Sequence, residues 1–195
     1  MHTPQRTAAQ EWKGHWTLVL AAMAGMSFYS VVTYSLGTFI EPLENQFGWS
    51  RARISMGLTI FTAVATLGGL FIGMLIDRFG TRRIAIPGLA LHAAAFAAFG
   101  LASGSFAQWL AIWSFMAVVA LSTKSLIWSA AVSSVFTTGR SMALAVMLSG
   151  TAIGQSLAPL LANRLIADHG WRQAYIGIGL GWGGVALALC LLFFF

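Results

Sequence analysis

Lys124 is a single cation within a long apolar stretch, Phe106 to Val135, and Ser122, Thr123 and Ser125 stand beside it. It follows Trp109 by 15 residues and precedes Arg140 by 16. In a helix rising about 1.5 Å per residue, its ammonium is therefore about 22 to 24 Å from either end, too deep to snorkel out. A lysine at mid-bilayer costs about 2.5 to 3.5 kcal/mol on insertion scales, which a chain tolerates when the group faces a cavity or a partner. The chemistry open to it is binding of an anion. Pairing with a carbonyl, or with an acid from elsewhere, is the structural alternative.

Hydroxyls offer a second, weaker set. Ser30 and Tyr34 are four residues apart, with Ser27 a turn earlier, so they share a helix face that could bind carboxylate oxygens or bond to a neighbouring helix. Gln155 is similar in kind. His92, alone among alanines, reads as structural. Glu11, Glu41, Glu44, Asp77 and Asp168 all stand at ends or in loops, so an intramembrane carboxylate proton carrier is not available from this sequence. Proton coupling would depend on Lys124, on the substrate or on another part of the protein.

Enzyme chemistry finds no footing. An intramembrane serine protease needs G-x-S-x-G and a later histidine, and neither "GLASG" nor "GTAIG" places its serine correctly. There is no metal-ligand cluster, Walker loop or acid pair, and Cys190 is a lone thiol inside an apolar run, so neither metal nor cofactor is expected. Paired N-P-A loops, as in a water channel, are also missing.

The elements that position these residues are set by composition. Of 195 residues, 58% are hydrophobic and 8% charged, against about 25% charged in soluble domains. Six apolar runs follow one another: 16–40, 54–76, 84–101, 106–135, 142–166 and 175–195. Each is long enough to cross a bilayer as a helix, and none alternates as a barrel strand would. The expected fold is all-α, a six-helix transmembrane bundle over 15–195 behind a cytoplasmic segment 1–14. The first run is too long for a signal-peptide core. Ser50 suits an N-cap for the second helix and Pro42 the exit from the first.

The net charge of +6 orients the chain in lipid and does not imply nucleic acid. With the N-terminus inside, Arg6, Lys13, Arg78, Arg82, Arg83 and Arg140 lie on the inner side, against Arg51, Arg53, Arg164 and Arg172 outside. The expectation is a multi-pass protein of the cell membrane (inner or plasma), N-terminus cytoplasmic. The ending "CLLFFF" lacks a polar or basic anchor and is what a fragment or truncated product would show.

Small residues recur at spacing four in Ala65, Gly69, Gly73, in Gly150, Gly154, Ala158, and in Gly177, Gly181. Such stripes let helix backbones approach in lipid. Pro159 predicts a bend.

"GMLIDRFGTRR" is more specific. Gly73, Asp77, Arg78, Gly80, Arg82 and Arg83 fit G-x-x-x-D-R-x-G-x-R-R at every position, and this resembles the signature loop between helices two and three of the major facilitator superfamily. The residue types support a latch: Gly80 allows positive φ, Asp77 can accept from a helix N-terminus, and the arginines stay charged at the headgroups. The resemblance covers the whole chain as one half of a twelve-helix transporter built from a 3+3 inverted repeat. It implies secondary transport by alternating access, with helices one and four lining a central cavity and the loop latching one half to the other. Lys124, Ser30, Tyr34 and Gln155 are then the substrate-binding candidates.

"FGWSRARIS", Arg140, Pro159 and Gly170-Trp171-Arg172 are similar to the monocarboxylate and oxalate/formate branch, although its acid-glycine signature in helix one and the arginine motif of helix four are absent. A small organic anion such as a monocarboxylate is the implied substrate. The expected partners are the lipid bilayer, the substrate, and either a C-terminal six-helix half or a second copy of this chain. Competing expectations are a non-transporting membrane subunit or scaffold and a homodimeric half-transporter.

Overall fold

The computed structural model describes residues 7–194, and among these the regular structure is entirely helical. Arg6, the first residues of the 1–14 segment and Phe195 lie outside the described residues. The helices are α1 (Ala8–Phe47), α2 (Arg51–Phe79), α3 (Thr81–Ala98), α4 (Phe106–Ala120), α5 (Ser125–Val135) and α6 (Arg140–Phe193), with 3-10 turns at Phe99–Leu101 and Leu121–Thr123. Crossing four is divided between α4 and α5. Crossings five and six are the two arms of α6, 140–169 and 171–193, separated by Gly170 at φ 82°, ψ 161°.

Local chemistry sets most boundaries. Thr7 N–H donates to Gln10 Oε1 at 3.0 Å as α1 opens, and Ser50 Oγ accepts from Arg53 N–H at 3.3 Å as α2 opens, as its N-cap position predicts. Pro42 does not end α1: the helix continues to Phe47 and stops at Gly48, whose φ of 65° only glycine adopts freely. Pro159 likewise sits among helical torsions, and the break in α6 falls at Gly170 instead.

Glycine stripes decide how the rods meet. A Cβ on Gly150 would collide with the Met23 carbonyl, and one on Gly154 with that of Ser27, so α1 and the first arm of α6 touch backbone to backbone. Ala158 completes this seam, fully buried. On the second arm the expected pair, Gly177 and Gly181, has open space or a distant leucine beside it; Gly179 and Gly183 are the glycines packed against Ala93 and Ala97 of α3. Spacing gave the right period and the wrong face. Gly57 of α2 meets the Trp113 ring of α4, and Trp109 Nε1 donates to the Ile54 carbonyl at 3.2 Å. Crossing one thus packs on five, two on four and three on six, a pairing that maps onto itself when the first three crossings are exchanged for the last three.

An aromatic core closes the end opposite the N-terminus. Phe39 stacks on Tyr175 at 3.8 Å between centroids, and Phe96, Phe99, Trp109 and Trp113 pack around them with tilted or edge-to-face rings. At the other end Glu11, 2% exposed, ties the N-terminal end of α1 to the α5–α6 junction. Its carboxylate accepts from Thr137 N–H at 3.1 Å, Thr137 Oγ1 at 2.6 Å, Thr138 N–H at 3.1 Å and Gly139 N–H at 2.8 Å. The acid therefore occupies the positive end of the first arm of α6.

Candidate functional site

Lys124 sits in the interruption of crossing four, not in a continuous helix. Its torsions, φ −67° and ψ 156°, are extended, and it caps α5. In lipid an interruption survives only if the freed backbone groups find partners. Here they do: Lys124 N–H donates to the Leu121 carbonyl at 3.5 Å, the Lys124 carbonyl accepts from Ile127 N–H at 3.0 Å, and Trp128 Nε1 donates to the Thr123 carbonyl at 2.7 Å. Ser122 and Thr123 hydroxyls donate back to Val119 and Ala120 at 2.5 and 3.2 Å.

The half-buried ammonium reaches across to α2, donating to the Ala65 carbonyl at 2.6 Å. Gly69 lies beside it, where a Cβ would stand 3.5 Å from Nζ, at ordinary contact distance. The carbonyl alternative raised by the sequence is therefore realised, and it leaves two ammonium protons for another acceptor. At the Gly73 end of the stripe Ala65, Gly69, Gly73 there is no helix seam: a Cβ there would meet no atom of another helix within 4 Å.

Around Lys124 the other candidates are spread. Ser30 is buried in the α1–α6 seam beside Gly154 and donates to its own helix at the Met26 carbonyl, 3.1 Å. Ser27 accepts from Trp182 Nε1 at 3.0 Å, an interhelical bond. Tyr34, one turn beyond Ser30, is 40% exposed, and Gln155 is exposed at the level of Ser30. Among the described residues no hydrogen bond joins any of them to Lys124.

Sequence reading overlooked a row of hydroxyls on α2. Ser55, Thr59, Thr62 and Thr66 fall on one face by helical periodicity and line an open groove of about 680 Å³ with Leu58, Ala63 and Leu67. Thr62 and Thr66 bond back to Leu58 and Thr62, so each oxygen can still accept. The face continues to Gly69, beside the ammonium. The legible signal was the i, i+4 spacing of threonines within an apolar run. Glu11 was also missed, because its partners are 126 to 128 residues away.

At the α2–α3 junction Gly80 has φ 79° and ψ 158°, a region glycine alone occupies comfortably, and it is the whole connection between the two helices. Asp77, Arg78, Arg82 and Arg83 are all exposed. Arg78 lies 5.3 Å over the Phe79 ring, and Asp77 has no hydrogen bond or ion pair among the described residues. The six signature residues are assembled, with their charges facing away from the bundle.

A bundle of six apolar crossings, with an interrupted helix presenting a cation and a charged junction facing outward, is the architecture of one half of a membrane carrier. The chain matches the Major Facilitator Superfamily over residues 16–195 and belongs to it. It is similar to monocarboxylate transporter 6 of Homo sapiens, 28% identical over 194 residues, covering 96% of this chain and 36% of that protein. It is also similar to a cis,cis-muconate transport protein of Acinetobacter baylyi, 28% identical over 157 residues, 80% of this chain and 37% of that protein. An uncharacterized transporter of Buchnera aphidicola matches at 26% over 160 residues, 80% and 38% of the two chains. This chain thus spans little more than a third of the relatives it matches, and like them it is a multi-pass membrane protein of a transporter family.

Proposed function

We propose that the chain forms one wall of a secondary transporter for a small organic anion, with Lys124 supplying the positive charge of the binding site. The observation that carries this reading is the ammonium held at mid-bundle on an interrupted helix, bonded to one carbonyl and still carrying free protons. Interrupted helices with midplane charges are how such carriers bind ionic solutes. The names of two relatives refer to a monocarboxylate and to muconate, both carboxylates, which supports the anion class. Tyr34, Gln155 and the α2 hydroxyls complete the polar lining, and Ser30, buried in the α1–α6 seam, stands behind them.

Alternating access requires a facing bundle, either a C-terminal six-helix half or a second copy of this chain. The junction Gly73, Asp77, Arg78, Gly80, Arg82 and Arg83 is the latch toward it, on the cytoplasmic face with the N-terminus inside. Uptake of labelled lactate, oxalate and formate by cells producing the intact protein tests the reading. Lys124→Ala should abolish uptake while the protein still reaches the membrane. Wild-type rates in that variant, or uptake of none of the anions by the parent, would overturn it.

A further inference from the structure

One buried ionisable group has no part in the site as described. His92, on α3, is fully enclosed, with Phe28 at 5.0 Å and Tyr29 at 6.3 Å between ring centroids. Its Nδ1 lies 2.7 Å from the Thr123 hydroxyl, while Nε2 has no partner. An unpaired buried polar atom is costly, so a ring whose only task was to fill space would be better apolar. The histidine is explained by what Nδ1 holds. Thr123 also lies 3.2 Å from the Ala120 carbonyl, and whichever of the two groups carries the proton between them, the 2.7 Å bond ties His92 to Thr123.

Thr123 ends the 3-10 turn and immediately precedes Lys124. One turn from His92 on the same face of α3 is Gly88, where a Cβ would collide with the Ser122 hydroxyl. Gly88 admits Ser122 and His92 grips Thr123, so a single face of α3 moulds the interruption. We propose that His92 is a positioning residue of the anion site: by holding Thr123 it fixes the break between α4 and α5 and thereby the place of the Lys124 ammonium against α2. This rests on the carrier reading of Lys124, and its mechanical half can be measured without it.

The experiment uses the intact protein in liposomes, with uptake of labelled lactate, oxalate and formate and, separately, amide hydrogen exchange without any anion. His92→Ala and Thr123→Val should each raise KM about tenfold with the maximal rate within about twofold, the pattern of a lost ground-state contact. Both should speed exchange over 121–127 and leave the 147–158 seam unchanged. The double variant should be no worse than either single one, since both remove the same bond. His92→Asn, whose amide stands where Nδ1 does, should restore both readouts, and His92→Gln, which reaches the Nε2 position, should not. Unchanged exchange over 121–127, equal rescue by glutamine, or loosening of both segments alike overturns the proposal. If the parent transports none of the anions, the carrier reading falls, and the exchange pattern alone still decides whether His92 holds the break.

Discussion

Gly80 and Gly170 turn the chain through nearly the same torsions, φ 79°, ψ 158° and φ 82°, ψ 161°, and each is followed two residues later by an arginine. Their surroundings are opposite. At Gly170, Trp171 is buried against Phe47 at 5.7 Å, and Arg172 lies 4.3 Å over the Trp171 ring while donating to the Ala102 carbonyl at 2.9 Å. At Gly80, Arg82 and Arg83 are exposed and have no hydrogen bond or ion pair among the described residues. The same backbone device serves once as a closed fitting of this bundle and once as an open one. The polar groups left over at the second are what a facing domain would meet.

The two turns should respond alike at their glycines. Neither has any atom within 4 Å of a Cβ, so valine at either position meets backbone strain alone. Gly80→Val and Gly170→Val should each lower the stability of the bundle by about 3 kcal/mol, measured as melting by tryptophan fluorescence. Unequal losses would mean the two turns are not mechanically alike. The arginines should separate them. Arg172→Ala removes a hydrogen bond and a cation–π contact, a loss of about 2 kcal/mol, whereas Arg82→Ala should stay within about 0.5 kcal/mol. Equal effects would end the distinction between closed and open.

The pH dependence belongs to an acid that meets a helix end. Glu11 lies ahead of the apolar run of α1, and hydrogen bonds from Thr137 and the amides of 137–139 hold its carboxyl at about 2, below the ordinary 4.5. A depressed carboxyl stabilises fully above its ordinary value and loses that contribution as pH falls toward its folded value. Melting temperature should therefore drop between about pH 4.5 and pH 2, and Glu11→Gln should flatten that limb. An identical acid limb in the variant would show that the carboxylate bears no part of the junction.

The six crossings were legible because an apolar run longer than the bilayer has few alternatives, and Gly80 because a glycine between charged residues at a helix end has a narrow use. Lys124 stood out for the same reason, a charge where none is cheap. The interruption beside it did not, since "LSTKS" contains neither glycine nor proline. Gly88 and His92 of α3 shape it from 31 or more residues away, which no local pattern encodes, and only the Trp128 bond to the Thr123 carbonyl is local. The glycine faces of the second arm of α6 failed for a related reason. Period four is shared by 177–181 and 179–183, and only the rotation imposed by α3 chooses between them.

The seam between α1 and the first arm of α6 has a consequence for biogenesis. Met23 and Ser27 meet Gly150 and Gly154, about 127 residues later in translation, and Glu11 waits equally long for Gly139. α1 enters the bilayer well before that seam can close. Until the ribosome has delivered the fifth crossing, its Met23 and Ser27 carbonyls lack the glycine face that seats them, although Trp128 of crossing four already covers Gly25, and the nascent bundle stays ajar.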